Sequence, residues 1–240
     1  GCGDDLIACE GEFGGSVTPT KRSPEQTEIG IYWGYDGTPY LGTPPRLYNQ
    51  IAVQIAEQKG TDTVELARLL ALVNVAMAEA GLVCWGTKYR EEFWRPITGI
   101  REAASDGNND TEENFSWTPL GAQASNKVGP NFTPPFPAYP SGHATFGAAM
   151  FQTLRKFYRT DRIRFTFVSD EFNGITRDNQ GIVRPFKPRT FKSLSEAEEE
   201  NGQSRIYLGI HWAFDKTEGI AQGRKVADYV FEHAFTPLHR

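Results

Sequence analysis

Three short stretches of the chain carry side chains whose types and spacing could do chemistry. In KYREEFWRP, Lys88 and Arg95 stand seven residues apart, the spacing of two helical turns, so a helix through both presents two cations on one side. Pro96 disfavours helical geometry at Arg95, which predicts a helix end there with the guanidinium pointing off it. In PFPAYPSGHA, Pro135, Pro137 and Pro140 make a stiff, extended approach, and Ser141 is a good N-cap for the helical run GHATFGAAMFQTLRKFY. The Ser141 hydroxyl and the N–H groups of Gly142 and His143 then face the space ahead of a helix, where the dipole favours an anion. In SRIYLGIHWAFD, His211 and Asp215 are four apart and can meet on one helical turn. A carboxylate that accepts the Nδ1–H of an imidazole fixes the tautomer and makes Nε2 the better nucleophile or ligand. Arg205 adds a further cation nearby.

Each stretch has an ordinary reading of its own. Lys88 and Arg95 are interleaved with Arg90, Glu91 and Glu92 as on a solvated face, Ser141 is a common helix cap, and a His–Asp pair can sit on a helix surface. Two cations, then Ser-Gly-His, then an arginine with a His–Asp pair, together describe a site for a tetrahedral oxyanion with a buttressed histidine. Cations around one anion count for far more in a desolvated pocket than on the surface.

These residues must be positioned by helices. The segment PPRLYNQIAVQIAEQKG starts behind a double proline and ends at Gly60. The next run opens on Asp62 or Thr63 as cap and is apolar almost all round from Val64 to Ala80, which predicts a helix in the middle of a bundle. The stretches SLSEAEEENGQSRIYLGI and DKTEGIAQGRKVADYVFEHAF also read as helices, whereas RIRFTFVSD reads as a short strand without an obvious partner. From Ala104 to Pro140 runs a long Asn/Pro/Gly-rich connection, of the kind that carries function. Its three N-x-S/T sequons, at Asn109, Asn114 and Asn131, read as chance in an Asn-rich loop. The expected class is all-α, a helical bundle with one long functional loop. Residues 1–22 read as a tail or connector, and residues 23–240 as a single domain.

The net charge of −5 over 240 residues gives no blanket attraction to nucleic acid or to anionic membrane. No apolar run in the sequence is expected to reach the roughly 18 residues of a membrane span. Of the three cysteines, Cys2 and Cys9 could pair and Cys84 reads as a small buried hydrophobe.

At the three stretches the sequence resembles the vanadium-dependent haloperoxidases, within the superfamily shared with type 2 phosphatidic acid phosphatases and bacterial acid phosphatases. The superfamily pattern of K-x6-R-P, P-S-G-H and S-R-x5-H-x3-D is present as Lys88, Arg95 and Pro96; Pro140 to His143; and Ser204, Arg205, His211 and Asp215. EQTEIGIYWGYDGTP, EEFWRPITGIR and FTPPFPAYPSGHATFGAA extend the likeness toward the chloroperoxidase-like and bacterial enzymes, from about Ser23 to near the C-terminus.

The resemblance implies vanadate as cofactor, with Lys88, Arg95, Ser141, Gly142 and Arg205 on its oxygens and His211 bonded to the metal. It makes His143 a vanadate-binding group too, the acid–base residue beside the apical oxygen, and Asp215 the partner of His211. Trp85 and Phe136 match aromatic wall positions of the chloroperoxidase type, and Asp36 matches an acidic residue that pairs with Arg205. The activity implied is oxidation of bromide, and of chloride by inference from Phe136, with hydrogen peroxide to hypohalous acid, which halogenates a small organic acceptor. The scarcity of soft sulfur, two methionines and three cysteines, agrees with life beside such an oxidant. A secreted or periplasmic location is common for this family. Its members are usually longer, with another helical bundle before the part seen here, so the chain is expected to be the C-terminal half of a longer protein or to be completed as a homo-oligomer. The first alternative is an acid phosphatase using the same site with a phospho-histidine at His211; the second is an oxyanion-binding module without catalysis.

Overall fold

The computed structural model describes residues 21–236. Nearly all of the expected tail, including Cys2 and Cys9, lies outside the described residues.

The helices begin where local chemistry satisfies their first N–H groups. Helix α1 (Pro24–Tyr32), which the sequence reading passed over, opens with a capping box in which Ser23 and Gln26 exchange side-chain and backbone hydrogen bonds. Helix α2 (Pro44–Gln58) starts on its double proline, and α3 (Thr63–Glu91) on the Asp62 carboxylate, which accepts from the N–H groups of Val64 and Glu65. The short α4 (Pro96–Arg101) follows. After the long connection come α5 (Gly142–Tyr158), α6 (Leu194–Tyr207) and α7 (Ala213–His233).

The expected strand does have a partner. Residues Phe165–Phe167 (β1) pair antiparallel with Arg189–Phe191 (β2), Thr166 opposite Thr190, with the two hydroxyls 2.7 Å apart. The partner was missed because the pairing bridges more than twenty residues of irregular chain. The helical bundle is otherwise as expected.

The central helix is α5 rather than α3. Helix α5 packs against α2, α3, α6 and α7, and its small residues, Ala144, Gly147, Ala148 and Ala149, let those neighbours approach. Gly219 and Gly223 of α7 complete the close fit: a Cβ at Gly223 would lie 2.2 Å from the Thr145 carbonyl oxygen, and one at Gly219 2.9 Å from that of Ser141. The crossing brings the start of α5 against the start of α7, where the Ser141 N–H donates to the Asp215 carbonyl at 3.0 Å.

Helix α3 keeps one face open. Leu72, Val73, Ala76 and Met77 are buried, while Val64, Leu82 and Val83 are exposed. The expectation that no segment is long and apolar enough for a membrane span is corrected here, because the segment running from α3 meets that description by length and composition. Its inward face is nonetheless committed to α2, α5 and α7.

The main core lies between α1, α2, α5 and the two strands, filled by Trp33, Tyr48, Ile51, Phe151, Phe165 and Phe191. Full burial of one such side chain stabilises the fold by about 1.5–3 kcal/mol.

Candidate active site

A cavity of about 390 Å³ opens where the N-terminus of α5, the end of α6 and the residue pair ahead of α7 meet the long connection. Arg95, His143, Arg205 and His211 line it together with Asp36 and Gly142, while Trp85, Phe136, Phe132 and Pro134 make its apolar side.

The two cations of the first stretch arrive by different routes. Helix α3 ends at Glu91, and Glu92 takes a left-handed φ of 48°, so Lys88 and Arg95 do not share a helix face as the seven-residue spacing suggested. Arg95 is the extended N-cap of α4, the conformation that Pro96 imposes on its predecessor. Its Nε donates to the Phe136 carbonyl at 2.9 Å and its Nη1 to the Ile210 carbonyl at 2.7 Å. The same Nη1 stands 2.9 Å from His211 Nε2. Arg95 Nη2 is buried and finds no hydrogen-bond partner among the described residues.

Lys88 is fully buried against the rings of Trp85 and Phe136 and donates to the Pro137 and Ala138 carbonyls, both at 2.8 Å. Burial pulls its pKa down to about 7, with Arg95 acting in the same direction. Its ammonium therefore sits beside the cavity, not on its surface. Ser141 is also buried, its Oγ turned to the Ala144 N–H at 3.5 Å, a long capping bond.

His211 and Asp215 meet, but not along one helical turn. His211 precedes α7, and Asp215 is in its first turn, where Oδ2 accepts from the Trp212 N–H at 3.0 Å and from His211 Nδ1 at 2.7 Å. With Nδ1–H donating to the carboxylate and Arg95 donating to Nε2, the imidazole is neutral and its lone pair is on Nε2. Burial and then the Arg95, Lys88 and Arg205 charges hold its pKa well below the ordinary value. Burial pushes the Asp215 carboxyl the other way, up to about 7, opposed by the Trp212 N–H.

Arg205, 1% exposed, forms a two-point ion pair with Asp36 through Nη2–Oδ1 at 2.6 Å and Nη1–Oδ2 at 3.3 Å. Its Nε has no partner among the described residues. Burial would raise the Asp36 carboxyl, but Arg205 and His143 overcome it and the net shift is downward. His143 donates from Nε2 to the Gly34 carbonyl at 2.6 Å, which leaves the lone pair on Nδ1. Burial and then Arg205 lower its pKa to about 4.

Sequence reasoning missed the groups that hold His143 in place. The Gly34 carbonyl is one; the others are Asn201, whose Nδ2 donates to the His143 carbonyl at 2.9 Å, and Tyr48, whose hydroxyl stands 2.9 Å from that carbonyl and 2.8 Å from Asn201 Oδ1 with one proton between the two acceptors. Gly34 lies in the WGYDG stretch that drew attention through Asp36, whereas nothing local marks Tyr48 or Asn201.

A family model described as the VCPO second helical-bundle domain matches residues 68–240. The chain belongs to this family. The VCPO-type chain is 42% identical to the vanadium chloroperoxidase of Curvularia inaequalis over 88% of its own length and 40% of that protein's. It also superposes on the first bacterial vanadium-dependent iodoperoxidase with a TM-score of 0.66 at 29% identity, covering 88% of this chain and 44% of that one. A holo-type bacterial vanadium-dependent chloroperoxidase shares the fold, with a TM-score of 0.62 at 16% identity over the same shares. The chain thus spans less than half the length of these relatives.

The site suits an oxyanion that also accepts an imidazole. Arg95 Nη2 and Arg205 Nε are buried donors without partners among the described residues, and His211 supplies a neutral Nε2 lone pair among three cationic side chains. Tetrahedral vanadate matches that donor set.

Proposed function

We propose that this chain carries the oxidising centre of a vanadium-dependent haloperoxidase. Residues 23–240 form its catalytic domain, with hydrogen peroxide, a halide and a small organic acceptor as its reaction partners. The observation that supports this reading most directly is the line Arg95 Nη1, His211 Nε2, Asp215 Oδ2, with contacts of 2.9 and 2.7 Å, beside two buried guanidinium nitrogens, Arg95 Nη2 and Arg205 Nε, that have no partner among the described residues.

Bound vanadate supplies Lewis-acid activation of peroxide toward halide without changing its oxidation state. The remaining work belongs to the protein. His211 offers Nε2 as ligand once Arg95 Nη1 turns from it, and Asp215 keeps the proton on Nδ1. Arg95 and Arg205 would hold the oxyanion and balance its negative charge, and Lys88 would add its own charge from behind Phe136. Ser141 and the Gly142 N–H hold oxygens at the α5 N-terminus once Ser141 Oγ leaves its long bond to Ala144. His143, neutral near pH 7, takes a proton from peroxide on Nδ1 while its Nε2–H stays on Gly34.

Trp85 and Phe136, with ring centroids 5.2 Å apart, make the wall apolar and narrow. That wall fits a small halide, chloride included, better than a phosphate ester. The phosphatase alternative shares the His211 geometry, and the wall is what separates the two.

Calorimetric titration with orthovanadate tests the reading. One vanadate per chain, competed by phosphate and lost in His211→Ala, is the expected result; absence of binding in the folded protein would overturn it.

A further inference from the structure

The turn Gly34–Tyr35–Asp36 gives the site two groups: the carbonyl that holds His143 and the carboxylate that pairs with Arg205. His143 and Arg205 meet the turn at its two ends, while Tyr35 between them is held by its hydroxyl, which donates to Gln50 Oε1 at 3.0 Å and accepts from the Asp170 N–H at 2.8 Å. Tyr35 has a φ of 57°, in the left-handed region that is unfavourable for a bulky residue, so its surroundings must enforce the conformation.

A buried polar cluster outside the motifs touches this turn. Glu171 is 1% exposed, and the Tyr35 backbone N–H lies near enough to its carboxylate to favour the ionised form. A Cβ added at Gly34 would lie 2.6 Å from Glu171 Oε1, so the carboxylate is seated directly on the turn and requires glycine there. The other oxygen, Oε2, is bonded to Arg184 Nη1 and to Ser125 Oγ, the latter at 2.7 Å. Arg184, also buried, donates further to Ser125 Oγ at 2.7 Å and to Gln123 Oε1 at 3.2 Å. Gln123 and Ser125 follow Ala122, which pairs with Phe132 on the cavity wall. Burial pushes the Glu171 carboxyl up to about 7 against the pull of Arg184, so the group is held where ionisation is costly. A buried ion pair contributes little net stability compared with apolar packing, which leaves geometry as what this one supplies.

We propose that Glu171, backed by Arg184, is a positioning pair that fixes the Gly34–Asp36 turn and through it sets His143 and Arg205 toward the oxyanion. The proposal rests on the oxyanion reading of the site given above. Neither residue touches the cavity, and both act through the turn.

The test compares the wild-type protein with Glu171→Gln and with the double variant Glu171→Met, Arg184→Met. It reads thermal stability, the imidazole NMR signals of His143 without ligand, and the affinity for inorganic phosphate. Glu171→Gln is expected to shift the His143 Nε2–H resonance and weaken phosphate binding about tenfold. The double variant strands no charge, so it is expected to regain stability while the His143 signal and the affinity stay altered. If either variant fails to fold, Ser125→Ala removes one bond to Glu171 and is expected to shift the same resonance less. Unaltered His143 signals with affinity within about twofold of wild type would overturn the proposal, whatever the change in stability. A wild-type protein that binds no phosphate would defeat the oxyanion reading instead, and the His143 resonance would still decide for or against the brace.

Discussion

Arg95 Nη1 stands 2.9 Å from His211 Nε2, while His211 Nδ1 stands 2.7 Å from Asp215 Oδ2. The imidazole is thus gripped at both ends, and its lone pair is directed at a guanidinium that has a second nitrogen to spare. Replacing Asp215 by Asn removes the anionic acceptor that fixes the tautomer. Orthovanadate affinity is expected to fall by about 10–100-fold, measured by calorimetry, with the helix content unchanged.

The Asp36 and Arg205 side chains are 7% and 1% exposed, so removing the carboxylate takes from the guanidinium its paired counter-charge. Asp36→Ala is expected to destabilise the fold by about 3–5 kcal/mol in denaturant unfolding. Added phosphate should recover part of that loss, because an anion in the cavity supplies the missing charge to Arg205.

His143 is neutral, with its pKa lowered to about 4. If it moves a proton and does not hold the anion, His143→Ala keeps orthovanadate affinity and loses about 10²–10⁴-fold in the rate of halide oxidation. Steady-state kinetics on the vanadate-saturated variant, alongside its dissociation constant, separate the two effects.

Lys88 makes stability and anion binding respond to pH in opposite directions. Its folded pKa is about 7 against an ordinary 10.5, so between those values the unfolded chain holds a proton that the folded chain has lost. The Lys88 contribution to stability therefore rises with pH across that window, and the full penalty of burying the ammonium is present below it. Sulfate, whose charge is constant there, prefers the charged lysine. Its affinity is expected to weaken by up to about tenfold per pH unit above 7, and Lys88→Met should flatten that profile.

The sequence carried the site's membership further than its geometry. Arg95, His143, Arg205 and His211 do line one cavity, because their residue types and local caps mark them. The helix-face argument for Lys88 and Arg95 failed because the chain leaves α3 at Glu92 and restarts at Pro96, so two separate elements deliver the pair. His211 and Asp215 met through a helix start, a geometry that the four-residue spacing does not distinguish from a helical turn. Uniform apolarity placed α3 at the centre, whereas small side chains placed α5 there. Glu171, Asn201 and Tyr48 act across long stretches of chain, and no local pattern points to them.

The central claim is tested most directly by the halogenation of an activated dione with hydrogen peroxide and bromide, then chloride, before and after orthovanadate is added to phosphate-free protein. The account predicts turnover that appears only with vanadate, extends to chloride, and vanishes in His211→Ala. A folded, vanadate-binding protein that halogenates nothing yet hydrolyses a phenyl phosphate would contradict it.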